Sequence, residues 1–326
     1  MPSAIPETSQ FELEKDLEKA RATSWRNLGK RIHFYSPSFS HRKSSRISFP
    51  SISITGNSCS LNCLHCQGIV LKTMISASTP KRLIEVCRRI KEEGGEGCLI
   101  SGGCTPAGIV PLDSFVDAIA QIKSELGLTI VIHTGIIEEG TAERLKTAGV
   151  DAALIDVIGS DETLKQIYNI RSGVESFSRS LRALSVAKIP LVPHVLVGLH
   201  FGQLRGEAEA LEMISRYNPA AVIVISFFPI KGTAMEGTAP PKPEDIARVF
   251  IASRNLMPKT PLVLGCMRPS GMHRIRTDNY AVESGVNAIA FPTDEAVQLA
   301  RNLGLNTFFS PECCSMIYRD ILRKSL

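Results

Sequence analysis

From residue 47 onward the chain alternates short apolar runs with longer amphipathic stretches, and Gly, Pro or Asp marks most of the joints. The apolar runs fall at 51–54, 97–101, 128–133, 151–157, 190–198, 220–227, 261–266 and 286–291. The helical stretches that follow them lie near 80–92, 112–125, 141–147, 161–168 with 174–187, 205–216, 243–256, 272–284 and 294–303. Runs such as "AAVIVISF" (220–227) have no polar face, as parallel strands covered on both sides require. Eight such units over about 250 residues predict an α/β fold, a (β/α)8 TIM-type barrel, either closed or partly open. A doubly wound open sheet is the competing topology.

The barrel is assigned residues 47–304. Upstream, Leu13, Leu17, Ala20 and Leu28 recur near helical spacing, so 1–46 is expected to be an N-terminal helical extension. Residues 305–326 are expected to form a tail that closes the barrel mouth. The N-terminus has neither a basic n-region nor an apolar h-region, so no signal peptide is expected. No run approaches the roughly 18 apolar residues of a membrane span. A cytoplasmic chain with reduced thiols follows as the expectation. The net charge of +5 is mild, and the short basic patch "HRKSSR" (41–46) has no aromatic interleaving, so nucleic acid is not an expected partner.

The first βα loop carries the most specific feature, "ITGNSCSLNCLHCQG" (54–68), with Cys59, Cys63 and Cys66 in Cys-x3-Cys-x2-Cys spacing. Three such thiolates can hold three irons of a [4Fe–4S] cube and leave the fourth open. A structural zinc site is the alternative, but zinc usually takes four N/S ligands, and no second Cys-x2-Cys follows. Active sites of such barrels lie at the C-terminal ends of the strands, where this loop falls.

The spacing resembles the signature of the radical S-adenosylmethionine (SAM) superfamily. The resemblance implies that Cys59, Cys63 and Cys66 hold the cluster, that SAM chelates the open iron, and that one-electron cleavage of SAM yields a 5′-deoxyadenosyl radical. His65 stands where the family usually has an aromatic residue and is expected near the adenine. "SGGCTP" resembles the glycine-rich SAM-binding motif, which gives Ser101, Gly102 and Gly103 that role; Cys104 stands where the family often has Glu. His133, at the end of the third run, is expected at the same cofactor. "HVLVGLHFGQ" resembles the glycine turn near adenine and assigns Gly198. The region "DVIGSDETLKQIYNIRSG" resembles the segment whose acidic residue and arginine approach SAM, here Asp156 and Arg171.

The remaining cysteines divide. Cys87 and Cys98 are expected to be core thiols. Cys104, Cys266, Cys313 and Cys314 fall at strand ends or in the tail and are expected to hold an auxiliary iron–sulfur cluster. The resemblance to biotin synthase runs over most of the barrel, although His133 and His194 occupy the third and fifth strands, where that enzyme has cluster cysteines. The chain most resembles the biotin-synthase-like proteins that make lipoyl groups in pairs. The resemblance implies sulfur insertion into an octanoyl chain on a carrier-protein domain. It also implies a second radical SAM partner and a reductant such as ferredoxin or flavodoxin. Three other readings stay open: a single-cluster radical SAM reaction such as methyltransfer or rearrangement, a non-catalytic iron–sulfur or zinc protein, and an aldolase using Lys231.

Overall fold

The computed structural model of the protein describes residue 5 and residues 9–36 and 48–322. Among the described residues, eleven strands form one sheet in which every neighbouring pair is parallel. They are β1 (Arg31–Tyr35), β2 (Ser51–Ser53), β3 (Ile75–Ser76), β4 (Gly97–Ser101), β5 (Thr129–His133) and β6 (Ala152–Asp156). The rest are β7 (Leu191–Val197), β8 (Val222–Ser226), β9 (Leu262–Leu264), β10 (Ala288–Ala290) and β11 (Asn306–Ser310). The order across the sheet is β11-β1-β10-β9-β8-β7-β6-β5-β4-β2-β3.

All eight expected strands are present, and the sheet curls into an open barrel. The physical reason for the opening is strand insertion. In a closed barrel β2 would pair with β10. Here β10 pairs with β1, β1 pairs with β11, and the far side of β2 is taken by β3. The N-terminal extension and the tail therefore share the sheet with the barrel strands.

The helices cover the convex face. Gln10–Leu28 starts at a Ser9 capping box and buries Leu13, Leu17 and Ala20 as the periodicity predicts. In Pro80–Glu92, Thr79 accepts the Arg82 amide at 3.2 Å, Pro80 opens the first turn, and Leu83, Val86, Cys87 and Ile90 are buried. The π-turn at Leu164–Tyr168 ends at Asn169, which takes the left-handed conformation. No helix among the described residues is long and apolar enough to cross a membrane.

Alternation along each strand makes two cores. Ile130, Ala153, Ile155 and Val195 face the helices. Val131, Leu154, Val192, Ile223 and Val263 face the concave interior. The tail enters that interior. Met316, Ile317 and Ile321 are buried in the inner core, and the Tyr318 hydroxyl donates to the Asp151 carbonyl at 2.8 Å, beside the start of β6. Tyr35 donates to Asp320 at 2.6 Å. The tail thus enters the barrel: Met316, Ile317 and Ile321 fill the inner core toward the N-terminal end of the strands, while Pro311, Cys313 and Cys314 line the cavity.

One buried carboxyl ties the end of β7 to the next helix, Glu207–Ser215. Glu207 accepts the Gly198 amide at 2.8 Å and the Arg205 amide at 2.5 Å. Burial raises its pKa from 4.5 to about 7. A raised carboxyl favours the protonated fold, so this contribution is whole below about 4.5 and is lost as pH rises through 7. The shift corresponds to about 3 kcal/mol. Denaturant melts at pH 5 and pH 8 should show that loss, and Glu207→Gln should flatten most of it. An equal pH dependence in the variant would assign the loss to other groups.

Candidate active site

The loop after β2 is held in place by its neighbours on two sides. Gly103 donates to Thr55 Oγ1 at 2.7 Å, Ser60 donates to the Cys104 carbonyl at 2.8 Å, and the Cys104 amide points to Cys59 Sγ at 3.4 Å. On the other side Leu64 donates to Ile167, Asn169 Nδ2 donates to Leu61, and Cys63 Sγ lies 3.6 Å from the Tyr168 carbonyl. Asn62 and Gln67 take positive φ so that the chain can wrap inward, and Gln67 Oε1 accepts the Ala234 amide at 2.7 Å. The packing explains Gly103. A Cβ there would lie 2.0 Å from the Ser58 carbonyl oxygen and 2.6 Å from Cys59 Cβ.

Cys59, Cys63 and Cys66 all line one cavity of about 1700 Å3 inside the open barrel. The hydrogen bond from the Cys63 thiol, with His65 beside it, pulls Cys66 down to about 4, toward the thiolate that binds iron. The same hydrogen bond and burial push Cys63 up. The His65 ring packs against Tyr168 with centroids 5.2 Å apart, and its Nδ1 is buried without a hydrogen-bond partner. An orphaned ring nitrogen, three converging thiols and a glycine cradle fit a cluster with a chelating ligand.

Ser101, Gly102, Gly103, His133 and Asp156 also line the cavity, as expected. Two expected residues do not. Arg171 is exposed on the turn after Leu164–Tyr168 and does not reach Asp156. Gly198 takes φ +72° and faces Pro241, where a Cβ would meet Cγ at 2.5 Å. It serves loop packing. Lys231 is exposed, and no Lys or Arg lines the cavity among the described residues, which removes the basis for a Schiff-base aldolase.

The later cysteines split into two groups. Cys104 sits with the first triplet, and burial, then Cys59 and Asp156, push it up to about 12. Cys266, Cys313 and Cys314 lie near one another and line the same cavity. Cys266 is open to the cavity, and burial followed by the nearby Cys313 raises it. Cys313, hydrogen-bonded by Cys314 and by Ser315 at 3.1 Å, is lowered to about 7. The Cys266 loop is braced by the buried Arg268–Asp278 pair at 2.7 and 3.0 Å, with Arg268 also donating to Gly265 at 2.7 Å. Cys87 and Cys98 are core thiols 3.9 Å apart.

Asp156 Oδ1 lies 3.3 Å from His133 Nε2. Burial works against its charge, but His133, with His194 and His65 behind it, holds Asp156 down to about 2. Burial alone would lower His133, and Asp156 more than reverses this, so it is raised. Burial lowers His194 to about 4. Thr55, Tyr168 and His194 were not assigned to the site from sequence. His194 had a readable signal, since it interrupts the apolar run "PLVPHVLVG".

The sequence profile of the Radical SAM superfamily matches residues 53–213, which contain the cysteine loop, the glycine motif and Asp156. Those residues are similar to a radical SAM domain. Biotin synthases are among the similar proteins. That of Leptospira biflexa is 25% identical over 194 residues, covering 59% of this chain and 54% of the relative. That of Halorhodospira halophila is 25% identical over 221 residues, covering 64% and 65%. The matched region therefore spans between half and two thirds of these relatives. Among solved structures, methylornithine synthase (PylB) superposes with a TM-score of 0.66 at 17% identity, covering 97% of this chain and 94% of that one. HydG, a maturase of the [FeFe]-hydrogenase, gives 0.65 at 16% identity, covering 88% and 62%. These likenesses establish a shared fold.

Within the matched region, Gly103 makes a direct prediction. Gly103→Ala should displace the Ser58–Cys59 backbone and lose most of the iron held by Cys59, Cys63 and Cys66, up to about four per chain after anaerobic reconstitution, while the melting temperature changes little. Iron content equal to wild type would show that the loop can shift without cost.

Proposed function

We propose that this protein is a radical SAM sulfur-insertion enzyme, one partner of a two-protein lipoyl synthase that acts on an octanoyl chain carried by a protein domain. The observation that carries this reading is that two separate cysteine groups, Cys59/Cys63/Cys66 and Cys266/Cys313/Cys314, line one largely apolar cavity. The first triplet would hold a [4Fe–4S] cluster, which with SAM supplies a 5′-deoxyadenosyl radical. Ser101, Gly102, Gly103 and His65 would border the SAM. The second triplet would hold an auxiliary iron–sulfur cluster, the sulfur source and thus a substrate of the reaction.

The chain's own residues favour an uncharged alkyl substrate. Leu99, Leu196, Ile223, Ile225, Phe227 and Phe228 line the same cavity. With no Lys or Arg among the described lining residues, a free carboxylate on the substrate would find no guanidinium or ammonium partner there. An acyl chain in amide linkage brings no carboxylate. The same apolar walls keep dissolved oxidants and stray hydrogen donors away from a carbon-centred radical. The mild positive charge of the chain suits an acidic carrier domain, and nine free cysteines suit a reducing, cytoplasmic compartment. A reductant such as ferredoxin or flavodoxin and the second radical SAM protein complete the proposed set of partners.

The test is iron and acid-labile sulfide per chain after anaerobic reconstitution. About eight irons are expected, for two [4Fe–4S] clusters. About four would leave the radical SAM assignment standing and overturn the sulfur-insertion reading.

A further inference from the structure

Above the inner apolar layer of Val131, Leu154 and Val192 stands a second layer on the same three neighbouring strands. Two residues on along β5, β6 and β7, the inward positions are His133, Asp156 and His194. The register pairs Asp156 directly with His194, and His133 with Leu154. One ligand atom from each of the three residues lies within 4.8 Å of the other two. Among the described residues this is the only trio of such donors so close.

Two features set the trio apart from an ordinary buried ion pair. The His133–Asp156 separation of 3.3 Å is long for a charge-assisted hydrogen bond, typically about 2.8 Å. It matches the spacing of about 3.4 Å between donors that share a tetrahedral metal with bonds near 2.1 Å. In addition, His194 lies with its ring centroid 5.7 Å from that of His133 and has a buried Nδ1 with no hydrogen-bond partner. A buried imidazole nitrogen without a partner is costly, and a bound cation would satisfy it.

We propose that His133, Asp156 and His194 form a mononuclear site for a divalent first-row metal of the zinc or ferrous class, separate from both cysteine groups. Two imidazoles and one carboxylate suit such ions and leave coordination positions open. The open positions face the cavity, since all three residues line it. The apolar layer beneath closes the opposite side and fixes the rings. The ion's remaining ligands would be water or a donor atom of whatever occupies the cavity. His133 and Asp156 thereby take a role different from the SAM contacts expected of them, and the site stands whether or not the sulfur-insertion reading does.

Zinc is the probe. The full-length protein, reconstituted with iron and sulfide, would be equilibrated with Zn2+ and desalted, then read by zinc content and zinc-edge X-ray absorption, which ignores the iron. One zinc per chain with nitrogen and oxygen neighbours is expected. His194→Ala and Asp156→Asn should each weaken zinc retention by at least about 100-fold without lowering the iron count. If a variant folds poorly, His194→Gln gives the same comparison with less loss of packing, and zinc should raise the melting temperature of wild type but not of that variant. Sulfur neighbours around the zinc, no retained zinc, or retention unchanged in the variants would overturn the site.

Discussion

Alanine at Cys59, Cys63 and Cys66 together is expected to lower reductive SAM cleavage by at least about 10^3-fold, to the level of the reductant alone, and to remove about four irons per chain. The magnitude follows from the chemistry. No side chain delivers an electron at the potential SAM cleavage needs, so loss of the cluster leaves no slower route within the protein. The fold should survive. The loop is anchored by backbone bonds from Ser60 to Cys104 and from Leu64 to Ile167 and by the Asn169 side chain, none of which uses a thiol. The sheet order does not pass through the loop. The measurement is 5′-deoxyadenosine formed with dithionite as reductant, alongside circular dichroism of both proteins. Cleavage retained within tenfold of wild type, in a variant with native circular dichroism, would sink the assignment of the triplet.

Legibility in the sequence followed the range of the forces involved. Most of the eight expected strands were readable because they are apolar on both faces, a local property. The strands that open the barrel were not. β1 is "RIHFY", whose Arg31 and His33 break the apolar run; His33 is buried, stacked on Phe308 at 4.8 Å. β11 is "NTFFS", partly exposed along its length, and β3 is two exposed residues. β1 pairs with partners 255 and 275 residues away, which no local pattern encodes. The site divides in the same way. Cysteine spacing and the "SGG" turn are local, and both reached the cavity. Arg171 and Gly198 were assigned by position along the chain, and the path of two surface loops took them elsewhere. The pairing of His133, Asp156 and His194 needed the register of three strands.

The second large effect concerns Cys266, Cys313 and Cys314. Replacing all three with alanine is expected to leave SAM cleavage within about threefold of wild type and to abolish sulfur insertion into an octanoylated carrier peptide, a loss of at least about 10^3-fold. Separation of the two activities follows from geometry. The SAM-side triplet is held by the loop after β2 and the turn at 103–104, while the second group hangs from the loop after β9 and from the tail. The Arg268–Asp278 pair and the buried Met316 and Ile317 fix that side of the cavity independently of the thiols, so the cavity should keep its shape. Turnover in the variant would then produce 5′-deoxyadenosine without a sulfur-bearing product, read by mass spectrometry of the peptide in the presence of the partner protein. A variant that still inserts sulfur would place the sulfur source elsewhere. One that loses SAM cleavage as well would mean that the two cysteine groups act as a single centre, and Cys104, standing beside Cys59, would be the residue to examine as the link between them.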